Sequence, residues 1–166
     1  MGSRGTGLFA RALLLLGSAA LVGCDHASKA MALHELGGGR IVELIAGVLD
    51  LRYTENHDIA FSLLRDVAIP HKPLVLGAFA AAVFVGMLVT WWRRRYAQWP
   101  EPMGYALVAA GAMGNILDRF MRGFVVDFIH LTHWPVFNVA DILVVAGLAF
   151  IALGAARPRT PAQPSV

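Results

Sequence analysis

An uncharged stretch at residues 73–92 most constrains what this chain can fold into. It holds no Asp, Glu, Lys or Arg, it ends in two tryptophans, and three arginines follow directly. A helix of about 20 apolar residues spans the roughly 30 Å hydrocarbon core of a bilayer. Tryptophans next to a basic cluster are typical of the bilayer boundary. The stretch therefore predicts a transmembrane helix.

The composition extends this prediction to the whole chain. Of its 166 residues, 57% are hydrophobic and 15% are charged, and the mean hydropathy is +0.61, whereas a soluble domain carries about 25% charged residues. The length accommodates about four spans of roughly 20 residues, which we expect at about 8–30, 73–92, 103–121 and 135–156. The predicted fold is an all-α membrane protein, with one integral membrane domain (residues 1–166) and four transmembrane helices.

Two polar segments separate the predicted spans. Residues 31–72 mix acids with short β-branched and aromatic stretches such as 48–54, which predicts a small extracytoplasmic β-cradle. A short periplasmic connection joins the last two spans. Beyond them, residues 157–166 contain three prolines, and we expect a disordered tail there.

The charge distribution predicts topology and does not indicate nucleic-acid binding. The net charge is +3 and the pI is near 9.5, but the basic residues flank apolar runs instead of forming a stripe interleaved with exposed aromatics. With four spans the arginine clusters fall on one side, which the positive-inside rule assigns to the cytoplasm together with both termini. These arginines are Arg4, Arg11, Arg93, Arg94, Arg95, Arg157 and Arg159.

Cys24 is the only cysteine. A single cysteine excludes an intrachain disulfide framework and a multi-cysteine zinc site. Residues 21–24 follow a short apolar run and have the layout of a lipoprotein cleavage box at the end of a secretory signal. One alternative is therefore that the chain is itself a lipoprotein processed at Cys24, which charge asymmetry does not exclude.

Acidic residues inside the predicted spans are the first candidates for a functional site. An Asp at the centre of a membrane helix costs about 2.5 to 3.5 kcal/mol on insertion scales, so it indicates function by default. Asn138 and Asp141 lie three apart on the fourth span, and Asp127 lies in the connection just before that span, so chain geometry can bring Asp127 and Asp141 to one mouth. The third span carries, on one helix face, Asn115, Asp118 and Arg119.

A pair of neighbouring carboxyl groups can perform acid and base catalysis together. Two carboxylates that share a site do not both ionise readily, so one keeps its proton. The ionised member then takes a proton from water that attacks a peptide carbonyl, while the protonated member donates to the carbonyl oxygen. Such a site needs neither metal nor cofactor. The spacing alone does not decide whether Asp127 and Asp141 form the catalytic pair of an aspartic peptidase or whether each acid forms a structural ion pair with a base.

Three other interpretations stay open from the residues alone. Asp118, with Arg119 and Arg122 nearby, is expected to be paired, because a buried charge needs a partner. In a small proton-coupled transporter, Asp118 and Asp141 would form an intramembrane relay. His130 and His133 follow Asp127 at intervals of three, and His with carboxylate can bind zinc.

Several segments between residues 25 and 141 resemble, in order and spacing, the motifs of the bacterial lipoprotein signal peptidases (signal peptidase II). Residues 25–29 resemble the family's Asp-x-x-Thr/Ser-Lys, and residues 55–61 resemble Asn-x-Gly-Ala-Ala-Phe. Residues 114–119 match Gly-Asn-x-x-Asp-Arg, and residues 123–128 and 137–141 match the two catalytic blocks.

This resemblance implies an aspartic endopeptidase of the bacterial inner membrane, without metal or cofactor. Its partners would be membrane lipid and diacylglyceryl-modified prolipoproteins, which the family cleaves before the lipidated cysteine at the outer face of the membrane. Asp127 and Asp141 would be the catalytic dyad, and Cys24 would belong to an uncleaved first span of a monomer. The implied substrate-binding residues are Asn56, Asn115, Arg119 and Asn138, and the implied supporting residues are Asp25, Lys29 and Asp118.

The chain departs from the family pattern at Asp58 and Ile59, where the family has Gly and Ala. A glycine permits backbone conformations that a side chain resists. We therefore expect a differently shaped loop here, which bears on substrate and inhibitor preference and leaves the chemistry unchanged.

Overall fold

The computed structural model describes residues 3–57, 72–93 and 99–156. Within these ranges, four helices and three strands follow one another along the chain. They are α1 (Ser3–Leu36), β1 (Ile41–Ile45), β2 (Leu49–Asn56), α2 (Lys72–Arg93), α3 (Glu101–Arg122), β3 (Val125–Leu131) and α4 (Val139–Ala155). The predicted tail 157–166 lies outside the described residues, as do Arg94, Arg95, Asp58 and Ile59.

Each of the four helices overlaps one predicted span, but three bounds differ by more than two residues, the first being the start of α1 at Ser3 instead of 8. Helix α1 continues to Leu36, so the polar segment does not begin at residue 31. The extra turns bury Ala32 and Leu36 against Phe128, because residues four apart share one helix face. Helix α4 begins at Val139 and not at 135, since Asn138 caps it.

No helix within residues 3–57, 72–93 and 99–156 is both long and apolar enough to cross a membrane. The four transmembrane helices are therefore not confirmed by the fold and stay a prediction.

Helices α3 and α4 pack so closely that their glycines leave no room for a side chain. A β-carbon on Gly147 would lie 2.7 Å from the carbonyl oxygen of Gly104, and one on Gly104 would lie 2.6 Å from that of Gly147. Real β-carbons do not approach a backbone oxygen this closely, because interiors are already close-packed. This contact sets α4 against α3 and brings its first turn beside the polar face of α3.

The predicted small sheet is confirmed, and it has a third strand that the sequence did not indicate. Its order is β1-β2-β3, and both pairings are antiparallel. Strand β3 comes from the connection between α3 and α4, and its pairing places Asp127 opposite Thr54 and Val125 opposite Asn56.

Gly123 explains how the chain passes from α3 into β3. Its φ is 82° and its N–H donates to the carbonyl oxygen of Arg119, a left-handed helix end that glycine adopts without steric penalty. Two residues later the chain is extended at Val125. The turn therefore brings Asp127 to the end of the bundle where α3 finishes and α4 begins.

Candidate active site

The first turn of α4 holds Asp141 through a reciprocal cap. The side-chain oxygen of Asn138 accepts the backbone N–H of Asp141 at 3.1 Å, and Asp141 Oδ2 accepts the backbone N–H of Asn138 at 3.1 Å. This is a capping box with Asp in the place usually taken by Glu or Gln. The cap places the Asp141 carboxyl at the start of the helix, where the helix dipole favours negative charge.

Asp127 lies beside this cap, buried with 2% of its surface exposed. Asn138 Nδ2 donates to its Oδ1 at 2.6 Å, and Asn56 Nδ2 donates to its Oδ2 at 2.8 Å. Burial, assisted by the neighbouring Asp141 carboxylate, raises the pKa of Asp127 to about 7, against the opposing effect of the two amide hydrogen bonds. This carboxyl therefore retains its proton close to neutral pH.

Asn115 on α3 is the third polar group at this point. Its Nδ2 donates to Asp141 Oδ1 at 2.9 Å. Its Oδ1 accepts from Lys29 Nζ at 2.9 Å and from Asn138 Nδ2 at 3.1 Å. Asn115 therefore connects one member of the carboxyl pair to α1.

Lys29 lies in a buried ion cluster behind the carboxyl pair. Its Nζ lies 2.8 Å from Asp25 Oδ2 and 3.0 Å from Asp118 Oδ2, and all three side chains are fully buried. A buried charge is tolerated only where opposite charges and hydrogen bonds compensate its lost hydration. The cluster meets this condition and ties α1 to α3.

The two carboxylates of the cluster also bind backbone groups of the site. Asp25 Oδ1 accepts the N–H of Ala140 at 2.9 Å, and Asp118 Oδ2 accepts the N–H of Val126 at 3.2 Å. Asp118 also pairs with Arg122. The expected pairing of Asp118 is thus present with Arg122, and its second partner, Lys29, is one that the local spacing on α3 could not reveal.

Arg119 is half-buried at the edge of the site. Its Nη1 donates to the carbonyl oxygen of Asn115 at 3.3 Å. Asp127 and Asp141 both lie within electrostatic reach of its guanidinium. Arg119 is therefore a partly exposed cation that interacts with both members of the carboxyl pair.

The structure does not bring together the residues of the alternative zinc site, and it does not place Asp118 in direct contact with Asp141. His130 Nδ1 lies 2.9 Å from Asp50 Oδ2, and Asp127 binds amides instead of histidines. Within the described ranges, no cluster of three or more His, Cys, Asp or Glu residues could hold a metal ion. Lys29 and Asn115 lie between Asp118 and Asp141. A proton relay between the two acids would therefore have to pass the positive charge of Lys29.

Sequence reasoning missed a polar cluster on the sheet, which is formed by Asp50, Arg52 and His130. Asp50 accepts two hydrogen bonds from Arg52, both at 2.6 Å, and its pKa falls to about 2 mainly because of Arg52 and then His130. The pairing register of Asp50 with His130 across β2 and β3 depends on β3 joining the sheet. No local signal in the sequence predicts that contact.

The chain is similar in sequence to known proteins along most of its length. The family model described as signal peptidase (SPase) II matches residues 18–157. A lipoprotein signal peptidase of Xanthomonas axonopodis pv. citri is 42% identical over 146 residues, which is 84% of this chain and 83% of the relative. One from Syntrophomonas wolfei is 38% identical over 123 residues, covering 74% and 78% of the two chains.

Solved structures agree at the level of the fold. Two bacterial membrane enzyme structures superpose with TM-scores of 0.77 and 0.73, each at 21% sequence identity. The first covers 89% of this chain and 95% of the other, and the second covers 90% and 94%.

Proposed function

The chain belongs to the signal peptidase II family, and we propose that Asp127 and Asp141 are the dyad with which it cleaves diacylglyceryl-modified prolipoproteins. Enzymes of this family are aspartic peptidases that remove lipoprotein signal peptides. One observation carries the assignment of the dyad. Asn138 donates through its side chain to Asp127 and through its backbone N–H to Asp141, so one residue holds both carboxyls at a common point.

The environments of the two carboxyls suit different roles. Asp127, with its pKa raised to about 7, retains the proton. Asp141 lies at the first turn of α4, where two N–H donors and the helix dipole stabilise a carboxylate. We therefore assign Asp127 as the acid and Asp141 as the base in the resting enzyme.

Hydrolysis follows from these two protonation states. Asp141 takes a proton from a water molecule while the water oxygen bonds to the peptide carbonyl carbon, and Asp127 gives its proton to the carbonyl oxygen. A tetrahedral diol results. As the C–N bond breaks, Asp141 passes its proton to the leaving nitrogen and a diol hydroxyl returns a proton to Asp127, which restores the starting state.

The amides near the dyad serve a positioning role in this proposal. The side chains of Asn56, Asn115 and Asn138 each donate a hydrogen bond to a dyad carboxyl. The family resemblance implies that they bind substrate, and we refine that role to holding the carboxyls. Arg119, half-buried within reach of both acids, is the side chain we assign to the substrate backbone.

We also propose that the enzyme is a monomer of the bacterial inner membrane, with its helices spanning the bilayer, both termini cytoplasmic and its sheet on the periplasmic side. Large apolar side chains that are about half exposed or more support this placement, because water disfavours them and lipid does not. They include, on α1 and α4, Leu15, Leu16, Val145, Leu148 and Leu153. A dyad at the outer end of such a bundle suits a substrate whose acyl chains stay in the bilayer.

The assignment is tested with the variants Asp127→Asn and Asp141→Asn in liposomes containing a diacylglyceryl-modified precursor. Each substitution removes one proton-transfer group, so we expect the cleavage rate to fall by about 10²-fold to 10⁴-fold. Glu43→Gln is the matched control, because this acid lies on the exposed β1 strand and glutamine can still accept the Gly47 N–H that Glu43 binds. Normal cleavage by either Asp variant would refute the dyad.

A further inference from the structure

The Asn115 side-chain amide could face Asp141 with either its nitrogen or its oxygen. The oxygen and nitrogen ends of an asparagine amide have nearly the same shape, so packing does not distinguish them, and only hydrogen-bond partners do. In this structure the nitrogen end faces Asp141 Oδ1 at 2.9 Å. The reverse orientation would place an amide oxygen against a carboxylate oxygen, which is favourable only when Asp141 holds the proton.

Lys29 is the charged group that fixes that orientation, assisted by Asn138 Nδ2, which lies 3.1 Å from the same amide oxygen but is shared with Val126 and Asp127. Its ammonium group has donors and no acceptor, and its Nζ lies 2.9 Å from the amide oxygen of Asn115. An amide nitrogen in that position would face donor against donor. The oxygen end of Asn115 must therefore point to Lys29, which leaves the nitrogen end pointing to Asp141.

Lys29 itself is held so that it cannot turn away. Its three N–H groups have three oxygens within 3.0 Å, one each on Asp25, Asp118 and Asn115. The Lys29 side chain is fully buried, so water offers no alternative partner. With Arg122 on Asp118, two positive charges oppose two negative ones, and the cluster is balanced without the dyad.

We infer that Lys29 is a positioning residue of the reaction, which acts through Asn115 to keep an N–H donor on Asp141 and so keeps this carboxyl the base. The inference rests on the proposed dyad. The charged groups that face Asp141 are Lys29 and Asp25 from α1, Arg119 from α3, and Asp127 from β3. Of these charged groups, only Lys29 donates a hydrogen bond to the Asn115 side chain, at 2.9 Å.

The test compares Lys29→Met with Arg122→Met in liposomes, with rates expressed per folded enzyme. Both variants remove one cation from the same cluster, but Arg122 contacts Asp118 and not Asn115. For Lys29→Met we expect kcat to fall about tenfold to a hundredfold, the loss of one hydrogen bond to a charged group, with KM nearly unchanged. We also expect the acidic limb of kcat against pH to move to higher pH.

A purely structural role for Lys29 predicts a different result. It would lower the folded fraction of both variants and leave kcat and its pH profile per folded enzyme unchanged, and that outcome overturns the inference. Should Lys29→Met not fold, Lys29→Gln still tests the inference, because its amide carries an acceptor as well as donors and no longer forces the oxygen end of Asn115 toward it. The same fall in kcat and the same shift of the acidic limb are then expected, and their absence overturns the inference. If Asp127→Asn and Asp141→Asn are inactive while the Lys29 variant keeps the wild-type kcat and pH profile, this inference alone is rejected. If the Asp variants are active, the dyad itself is rejected.

Discussion

Replacing Asp127 by Asn should remove a pH-dependent loss of stability. In the folded protein, burial raises the pKa of Asp127 from 3.8 to about 7. The folded state therefore binds more protons than the unfolded state between these two values, so the free energy of unfolding falls as pH rises through this window and the loss is complete above pH 7. At 1.36 kcal/mol per pKa unit, the loss between pH 5 and pH 8 is about 3 kcal/mol.

The measurement is the free energy of unfolding of wild type and of Asp127→Asn at pH 5 and pH 8, in detergent micelles titrated with a denaturing detergent. Other titrating groups contribute to both proteins and cancel in the difference. Asparagine keeps the shape of the side chain but cannot ionise, and its altered hydrogen bonds to Asn56 and Asn138 add an offset that does not depend on pH. The stability of wild type relative to the variant should therefore fall by about 3 kcal/mol from pH 5 to pH 8.

A difference that stays constant with pH would refute this reasoning, because it would mean that Asp127 is ionised in the folded protein at pH 5. A difference that grows in favour of wild type at pH 8 would also refute it. A constant difference is also the result expected if the hydrogen bonds from Asn56 and Asn138 outweighed the burial of the charge, because the folded-state pKa of Asp127 would then lie below 3.8 and the carboxyl would be ionised throughout this range.

Two further predictions follow from the same structure. Cleavage by wild type should fall about tenfold per pH unit above about pH 7, because Asp127 then loses the proton that it donates; a rate that still rises at pH 9 would contradict the acid role. Gly147→Ala should lower the free energy of unfolding by about 1 to 3 kcal/mol, since its β-carbon would meet the Gly104 carbonyl oxygen at 2.7 Å. Gly86→Ala is the control, with no atom near its β-carbon, and equal effects of the two substitutions would exclude close packing as the cause.

Much of the candidate site could be predicted because its residues lie close together in the chain. Asn138 and Asp141 are three apart at a helix start, which predicts a shared helix face and is compatible with a reciprocal cap. Asp127 precedes them by only a short connection, so proximity to Asp141 was expected from chain geometry. The resemblance to signal peptidase II then identified the same acids, and the family is confirmed; their catalytic role stays a prediction.

The contacts that hold these acids could not be predicted, because they join residues far apart in sequence. Asn56 and Asp127 are separated by 71 positions, and Lys29 and Asn115 by 86. Local periodicity carries no information about such pairs. The start of α4 at Val139 instead of 135 was also missed, since a cap is defined by hydrogen bonds and not by hydropathy.

The sequence by itself determined the helical character of the chain, the small sheet and the family, because periodicity, composition and short motifs are local properties. It also predicted which two acids form the dyad. Only the tertiary structure decided that β3 joins the sheet and that one buried lysine orients an amide toward Asp141. These features depend on backbone pairing and on the balance of buried charges, and both arise only when distant segments pack together and exclude water.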